Sequence, residues 1–434
     1  MRKRLLAFLS VFFISFCFLN IPAYAAYMPP FDVDATNAML VNTDTGKVVY
    51  EKNADDKIYP ASLTKIMTTI LAYENTEDLD ATEVKVPGYI YDEFYGLDVS
   101  HAGIERGDVV TMRNLIYGMM VASGNEAASA VADYIGGGSI PAFADMMNQR
   151  AKELGCTGTN FVNAHGLFDE DHYTTVRDLY KITSYALTID GLLDICSTPT
   201  YQMSAVGQED PWTIYNRNSI IRTDSEYYYQ YAKGVKTGSL PEVGKNLITT
   251  ASKDGYNYLL LLIGEPDTDS LYTQAKDILE WAFDSFTVKA VTDVNDPVGE
   301  IALKYAWGQD SLQLRPETVY TALVPDNIDV ATIEYELSVP DYIEAPVEKG
   351  QVIGKAQLKW GTEVLGELNV VAAESVSKSS LLVLADKVKS VVFSFWFKFT
   401  LIVVLILIIL YILLLLIRNN NMRKYKRVRK NRNL

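Results

Sequence analysis

The feature that most constrains this chain lies near its end. Phe399–Ile417 is a run of nineteen residues without a charge, about 28 Å long as an α-helix at 1.5 Å per residue and close to the ~30 Å of hydrocarbon in a bilayer. Trp396 and Lys398 precede it as interfacial and snorkelling residues, and eight basic residues follow, from Arg418 to Arg432. The run is expected to span a membrane with residues 418–434 as a basic cytoplasmic tail, because cationic flanks stay on the cytoplasmic side. The other end predicts the same topology. Arg2-Lys3-Arg4, the apolar Leu5–Leu19 and the small residues of Ala23-Tyr24-Ala25 form the three parts of a secretory signal over residues 1–25. Phe16 before Cys17 does not suit a lipoprotein signal, so the mature chain is expected to begin at Ala26 or Tyr27, outside the cytoplasm.

With both termini tied to a membrane, charge distribution becomes informative. Of the formal net charge of −15, three positive charges belong to Arg2, Lys3 and Arg4 and eight to the tail, so residues 5–417 carry −26. So acidic an outer region argues against nucleic acid, which is bound by basic surfaces that displace phosphate counterions. Beyond Cys17 of the leader, Cys156 and Cys196 stand alone, and His101, His165 and His172 lack metal-ligand spacing. No metal and no cofactor is assigned, and a disulfide between cysteines forty residues apart is undecided.

Between leader and anchor the pattern changes once. Strands are expected on either side of Asp44-Thr45-Gly46-Lys47, and helices over 62–75, 112–121, 126–135, 140–154 and 175–187. Adjacent antiparallel strands at 245–251 and 256–263 then lead to a helix over 271–283. Strands at both sequence ends with helices between imply one antiparallel sheet with a helical insertion over residues 26–284. From Phe286 no helix is expected before the membrane. Short alternating runs punctuated by Pro297, Pro316, Pro325, Pro340 and Pro346 read as a small β-sandwich over 285–374. Residues 375–398 are expected to be a juxtamembrane linker with an apolar stripe.

Three motifs carry the chemistry. In Pro60-Ala61-Ser62-Leu63-Thr64-Lys65, a helix starting near Ser62 puts the Ser62 hydroxyl and the Lys65 amine on one face. A lysine desolvated at a helix N-terminus is biased toward its neutral form and becomes a base for the serine. The same spacing recurs at Ser375-Val376-Ser377-Lys378, so the pattern alone proves little. Ser123-Gly124-Asn125 offers a hydroxyl and a carboxamide at a turn between helices. Lys236-Thr237-Gly238-Ser239 follows a strand, presenting a cation, a hydroxyl and open backbone along an edge where an extended peptide ending in a carboxylate can pair.

Ser-x-x-Lys, Ser-x-Asn and Lys-Thr-Gly in this order are the motif set of penicillin-binding proteins and class A β-lactamases. The resemblance extends to Ala38-Met39-Leu40-Val41, Thr45-Gly46-Lys47, Asn163-Ala164-His165-Gly166-Leu167, His172-Tyr173-Thr174-Thr175 and Val347–Gly354, and with them the chain closely resembles the low-molecular-mass D-alanyl-D-alanine carboxypeptidases. That implies an α+β fold: a penicillin-recognising serine transpeptidase/β-lactamase-like domain of antiparallel sheet and helical subdomain, a small all-β sandwich, and one C-terminal transmembrane helix. It implies removal of the terminal D-alanine from peptidoglycan stem peptides, with β-lactam antibiotics as inhibitors. By position Ser62 attacks, Lys65 takes its proton, and Ser123 passes a proton to the leaving amine. Asn125 holds the peptide amide, Lys236 and Thr237 bind the carboxylate, and the backbone amides of Ser62 and Ser239, flanking Gly238, form the oxyanion hole.

Two departures stand out. No basic residue occurs over 267–274, where family members carry an arginine before the last catalytic-domain helix, and Ser239 stands where histidine is frequent. The alternative readings are a β-lactamase, for which the Glu-x-x-Leu-Asn context is missing between Ser123 and Lys236, and a non-catalytic wall-binding protein. Tyr227-Tyr228-Tyr229 is a candidate stacking surface.

Overall fold

The computed structural model describes residues 28–431, with side-chain surroundings through residue 423; the expected signal peptide lies outside them. Two compact units divide the chain. One runs to Lys289 and includes Leu323–Ile328, and the other comprises Ala290–Ala322 and the residues from Asp329 onward. The second boundary inferred from sequence falls a few residues earlier, and the return of 323–328 to the first unit had no sequence signal.

In the first unit, β1 (Asn37–Asn42) and β2 (Lys47–Lys52) form the hairpin around Asp44–Gly46. Then come α1 (Lys65–Glu74), β3 (Glu83–Lys85), β4 (Val109–Thr111), α2 (Met112–Met120), α3 (Asn125–Ile135), α4 (Ile140–Glu153), α5 (Val176–Ala186) and α6 (Leu192–Cys196). A hairpin of β5 (Thr200–Met203) and β6 (Trp212–Tyr215) precedes β7 (Ala232–Leu240), β8 (Gly244–Lys253), β9 (Tyr256–Glu265) and α7 (Thr268–Ser285). The five long strands make one antiparallel sheet in the order β2-β1-β9-β8-β7. Central β9 carries Leu259, Leu260, Leu261, Leu262 and Ile263 in succession, all without exposure. Odd and even positions of a strand face opposite sides, so both faces of this sheet are covered. Leu259, Leu261 and Ile263 join the core under the helical insertion, while Leu260 and Leu262 pack with Leu271, Ile278 and Leu279 of α7.

The helix expected from Ser62 begins three residues later. Pro60 opens a 3₁₀ turn over Ala61–Thr64, and α1 starts at Lys65. Ala61 has φ +51, a left-handed conformation that a non-glycine residue keeps only when its surroundings impose it. They do: Gly166 passes so close that a Cβ there would lie 1.8 Å from the Ala61 carbonyl oxygen. Loop 163–168 is thereby seated against the turn that carries Ser62.

The strands β10 (Phe286–Ala290) and β13 (Thr321–Pro325) pair with each other and belong mainly to the first unit. In the second unit, a six-stranded sheet is formed by β11 (Gly299–Lys304), β12 (Ser311–Pro316), β14 (Glu334–Ser338), β15 (Tyr342–Glu344), β16 (Val352–Trp360) and β17 (Glu363–Ala372). Residues 375–398 are no open linker. Ser379 caps α8 (Ser380–Phe393), its hydroxyl accepting from the Leu382 amide at 3.4 Å, and α9 (Phe395–Asn431) follows. Exposed Leu381, Leu384, Val388 and Val391 recur at helical spacing along one face of α8. The second Ser-x-x-Lys is structural: Ser375 Oγ accepts from the Lys349 amide, Val376 pairs with Val347, and Lys378 lies over the Tyr305 ring.

Gly166→Ala therefore tests the seating of the nucleophile turn. The variant is expected to lose about 2–4 kcal/mol of stability, measured by urea denaturation, because neither the backbone at φ +90 nor the neighbouring carbonyl accommodates a methyl group.

Candidate active site

Ser62 lies at the floor of a cavity of about 410 Å³ that also reaches Asn125, His165 and Ser239. Edge strand β7 runs past the nucleophile turn with Gly238 at closest approach: a Cβ there would sit 3.2 Å from that of Ala61 and 3.3 Å from the Ser62 nitrogen. The missing side chain is what lets the Ser62 amide and the β7 backbone stand side by side.

Lys65 is completely buried. Its Nζ has three neighbours: Ser62 Oγ at 3.1 Å, Asn125 Oδ1 at 2.7 Å and the His165 carbonyl oxygen at 2.8 Å. Burial holds its pKa well below the usual lysine range, and nearby Lys236 lowers it further, while Glu126 works the other way. A neutral amine has two hydrogens and one lone pair. With the hydrogens directed to Asn125 and His165, the lone pair faces the Ser62 hydroxyl.

Lys236 is the second buried lysine. Its Nζ donates to Ser123 Oγ and to the Thr237 carbonyl, both at 3.0 Å, and burial pushes its pKa down to about 7, with Arg217 contributing in the same direction. Ser123, at φ +61, is held in the turn from α2 to α3, where the Gly124 amide donates to Gly118 and the Asn125 amide to Ser100. Thr237 and Ser239 lie beyond on β7, and the Ser239 hydroxyl accepts from Lys245 at 3.1 Å. All eight residues singled out in the sequence thus lie on two walls, the Ser62 turn with the Ser123 turn on one side and β7 on the other. Sequence reasoning placed Lys236 on an exposed edge; β7 is an edge strand, but it continues through the motif to Leu240, and Lys236 points into the protein.

Three further residues, to which the sequence assigned no role in the site, stand around it. Glu126 is 2% exposed, its Oε1 accepting from the Ala102 amide at 2.5 Å while Oε2 has no partner, and burial raises its pKa. His165 is buried against Glu93, Nε2 to Oε2 3.3 Å, with Phe94 edge-on to its ring. Arg217 acts on Lys236 from an exposed position between two clamped asparagines: Asn216 Nδ2 donates to the Cys196 and Thr198 carbonyls, and Asn218 Nδ2 to that of Gly234. Asn216-Arg217-Asn218 was the available signal, a compact polar triplet amid apolar and aromatic residues.

Other candidates take structural places. His172 accepts from the Val162 amide through Nδ1 and meets Thr64 Oγ1 at 2.8 Å through Nε2. Tyr227 stacks on Tyr272 and Tyr229 is buried, so only Tyr228 of that cluster is substantially exposed. Cys156 and Cys196 are both free and buried. Asp267 caps α7 through the Ser270 amide, a role that suits an acidic rather than a basic residue.

A serine on a strained turn, a buried lysine of lowered pKa beside it and a second lysine on a facing edge strand define an acyl-serine enzyme of the penicillin-recognising type. The sequence profile described as D-alanyl-D-alanine carboxypeptidase, peptidase S11, matches residues 23–266, and that of the penicillin-binding protein 5 C-terminal domain matches residues 286–378. The chain belongs to the S11 family. It is 29% identical over 351 residues to the D-alanyl-D-alanine carboxypeptidase DacF of Bacillus subtilis, covering 80% of this chain and 87% of that protein. It is 32% identical over 275 residues to the D-alanyl-D-alanine carboxypeptidase of Streptomyces sp. K15, covering 60% and 91%. The crystal structure of the carboxypeptidase DacD from Francisella tularensis superposes with a TM-score of 0.66 at 24% identity, covering 82% of this chain and 96% of that one, a likeness of fold.

Because Glu126 favours the protonated form of Lys65, Glu126→Gln is expected to lower the Lys65 pKa. The acid limb of the acylation-rate profile should move to lower pH, as followed by stopped-flow with a chromogenic β-lactam.

Proposed function

We propose that this protein is a peptidoglycan D-alanyl-D-alanine carboxypeptidase working through an acyl-Ser62 intermediate. The observation that carries the reading is the three-way environment of Lys65 Nζ, which turns its lone pair toward Ser62. Lys65 takes the hydroxyl proton as Ser62 Oγ bonds to the carbonyl carbon of the penultimate D-alanine. The oxyanion is received by the amides of Ser62 and Ser239, a pair in which loss of one donor typically costs ~10²–10³ in rate. As the C–N bond breaks, the leaving amine takes a proton from Ser123, whose hydroxyl is restored by the proton Lys65 had taken, so Lys65 is neutral again; Lys236 contacts Ser123 Oγ at 3.0 Å. Water then attacks the ester carbonyl as Lys65 takes its proton; the bond from the acyl carbon to Ser62 Oγ breaks, Lys65 returns the proton to that oxygen, and the shortened peptide leaves as an acid. Penicillins mimic the terminal dipeptide and acylate the same oxygen.

Asn125, held by Lys65, presents its carboxamide to the peptide amide, and Thr237 with Lys236 receives the terminal carboxylate. Arg217 adds the cation missing from 267–274. Although Lys236 titrates near 7 in the free enzyme, a bound carboxylate favours its charged form, so substrate binding and Lys236 protonation reinforce each other. The C-terminal helix has an apolar stretch within Phe395–Arg423 long enough to cross a bilayer. On this reading it anchors the protein, with residues 418–434 cytoplasmic and the catalytic unit outside.

Benzylpenicillin should add its full mass to the wild-type protein and the adduct should hydrolyse over many minutes; intact-mass spectrometry of the wild type and of Ser62→Ala checks it. An unmodified wild type, or an adduct retained in Ser62→Ala, overturns the assignment. Arg217→Ala is expected to raise KM for a diacyl-Lys-D-Ala-D-Ala peptide about tenfold, the scale of one charge-assisted hydrogen bond, with kcat changed less.

A further inference from the structure

The cavity above Ser62 and a neighbouring one differ in charge. The first is lined by Asp98, on the loop before Ser100, and by Glu242, in the turn between β7 and β8, and by no lysine or arginine. Neither carboxylate has an ion-pair or hydrogen-bond partner among the described residues, and both are exposed. Exposed Leu97 and Phe168 make the remaining walls apolar. Lys245, the cation next to this rim, is engaged with Ser239 Oγ, and His165, also in the wall, is kept neutral by burial. The second cavity, about 390 Å³, is lined by His101, Arg217 and Arg222 and by no carboxylate. The two meet at the Ser-x-Asn turn, where Asn125 lines the first and Ala122 the second. Asn125 is 4% exposed, and its Nδ2 donates to no atom among the described residues, leaving a donor that faces the acidic cavity.

This polarity matches a peptide with its negative end on the leaving side and a positive charge on the acyl side. We propose that Asp98 and Glu242 recognise a free side-chain ammonium on the residue preceding D-Ala-D-Ala, making the enzyme selective for stems whose diamino acid still carries an unacylated amine. The inference rests on the carboxypeptidase reading. The carboxylate of the substrate is drawn toward Lys236 and Arg217, so the chain N-terminal to the attacked carbonyl extends into the acidic cavity, where loop 97–100 and turn 241–243 flank it. A stem whose amine has been consumed by cross-linking loses this attraction, which places the reaction before amide formation at that amine.

The test compares Nα-acetyl-Lys-D-Ala-D-Ala with its Nα,Nε-diacetyl form, using full-length protein in detergent. At low ionic strength kcat/KM for the free-amine peptide should be about fivefold higher, the scale of exposed ion pairs, and the ratio should shrink toward one in ~0.5 M salt. In the double variant Asp98→Asn/Glu242→Gln, which still forms its penicillin adduct, the ratio should fall to about one. A wild-type ratio of one or less, or a preference surviving in the double variant, overturns the proposal. Failure to release D-alanine from either peptide overturns the carboxypeptidase reading itself, and the proposal with it.

Discussion

The structure depends on keeping two lysine amines out of water. An isolated buried ammonium costs several kcal/mol, and a protein answers either by pairing it with a carboxylate or by letting it lose its proton. Among the described residues Lys65 has no ion-pair partner within hydrogen-bonding reach; its contacts are a hydroxyl, a carboxamide oxygen and a backbone carbonyl. That set satisfies a neutral amine and poorly compensates a charged one. Burial therefore weakens the hold of Lys65 on its proton and so makes the free amine available to act as a base, and the elements around Lys65 are arranged to maintain it: the α2–α3 turn supplies Asn125, and loop 163–168 supplies the His165 carbonyl.

The arrangement is rigid because backbone, not side chain, makes the critical contacts. Gly166 against Ala61 and Gly238 against Ser62 bring three chain segments within van der Waals distance of one another. Any Cβ at either glycine would push them apart. Ala61 pays in left-handed backbone for this closeness, and the return is that the Ser62 amide faces the edge of β7 before substrate arrives. Preorganised donors of this kind need no rearrangement as negative charge develops, which is why such holes account for much of a rate enhancement.

Electrostatics outside this buried centre is graded. Arg217, Arg222 and His101 stand on one side of the Ser-x-Asn turn, Asp98 and Glu242 on the other. Against a chain whose residues 5–417 are strongly acidic overall, the basic side is the local exception, and it is the side proposed to receive the substrate carboxylate. Arg222 is held by Asp224 through two contacts, at 3.0 and 2.7 Å. Arg217 has no such partner among the described residues, so it is the freer of the two to meet a substrate.

Sequence alone determined the motif residues, the strand-helix-strand order of the first unit, the β-rich second unit and the apolar C-terminal helix, because each is written in local periodicity, turn chemistry or an uninterrupted apolar run. It misjudged the start of α1 by three residues, since Pro60 and the approach of Gly166 favour a 3₁₀ turn that no local pattern announces. It took 375–398 for a linker, although Ser379 caps a helix there. Tertiary structure alone decided that Lys236 is buried, that Arg217 acts on it from an exposed position, and that Glu126, one of its carboxylate oxygens without a partner among the described residues, is buried within electrostatic range of Lys65. These depend on which segments pack together and how much water they exclude, and burial, which sets the charge state of an amine, is a property of the assembled fold and not of any stretch of chain.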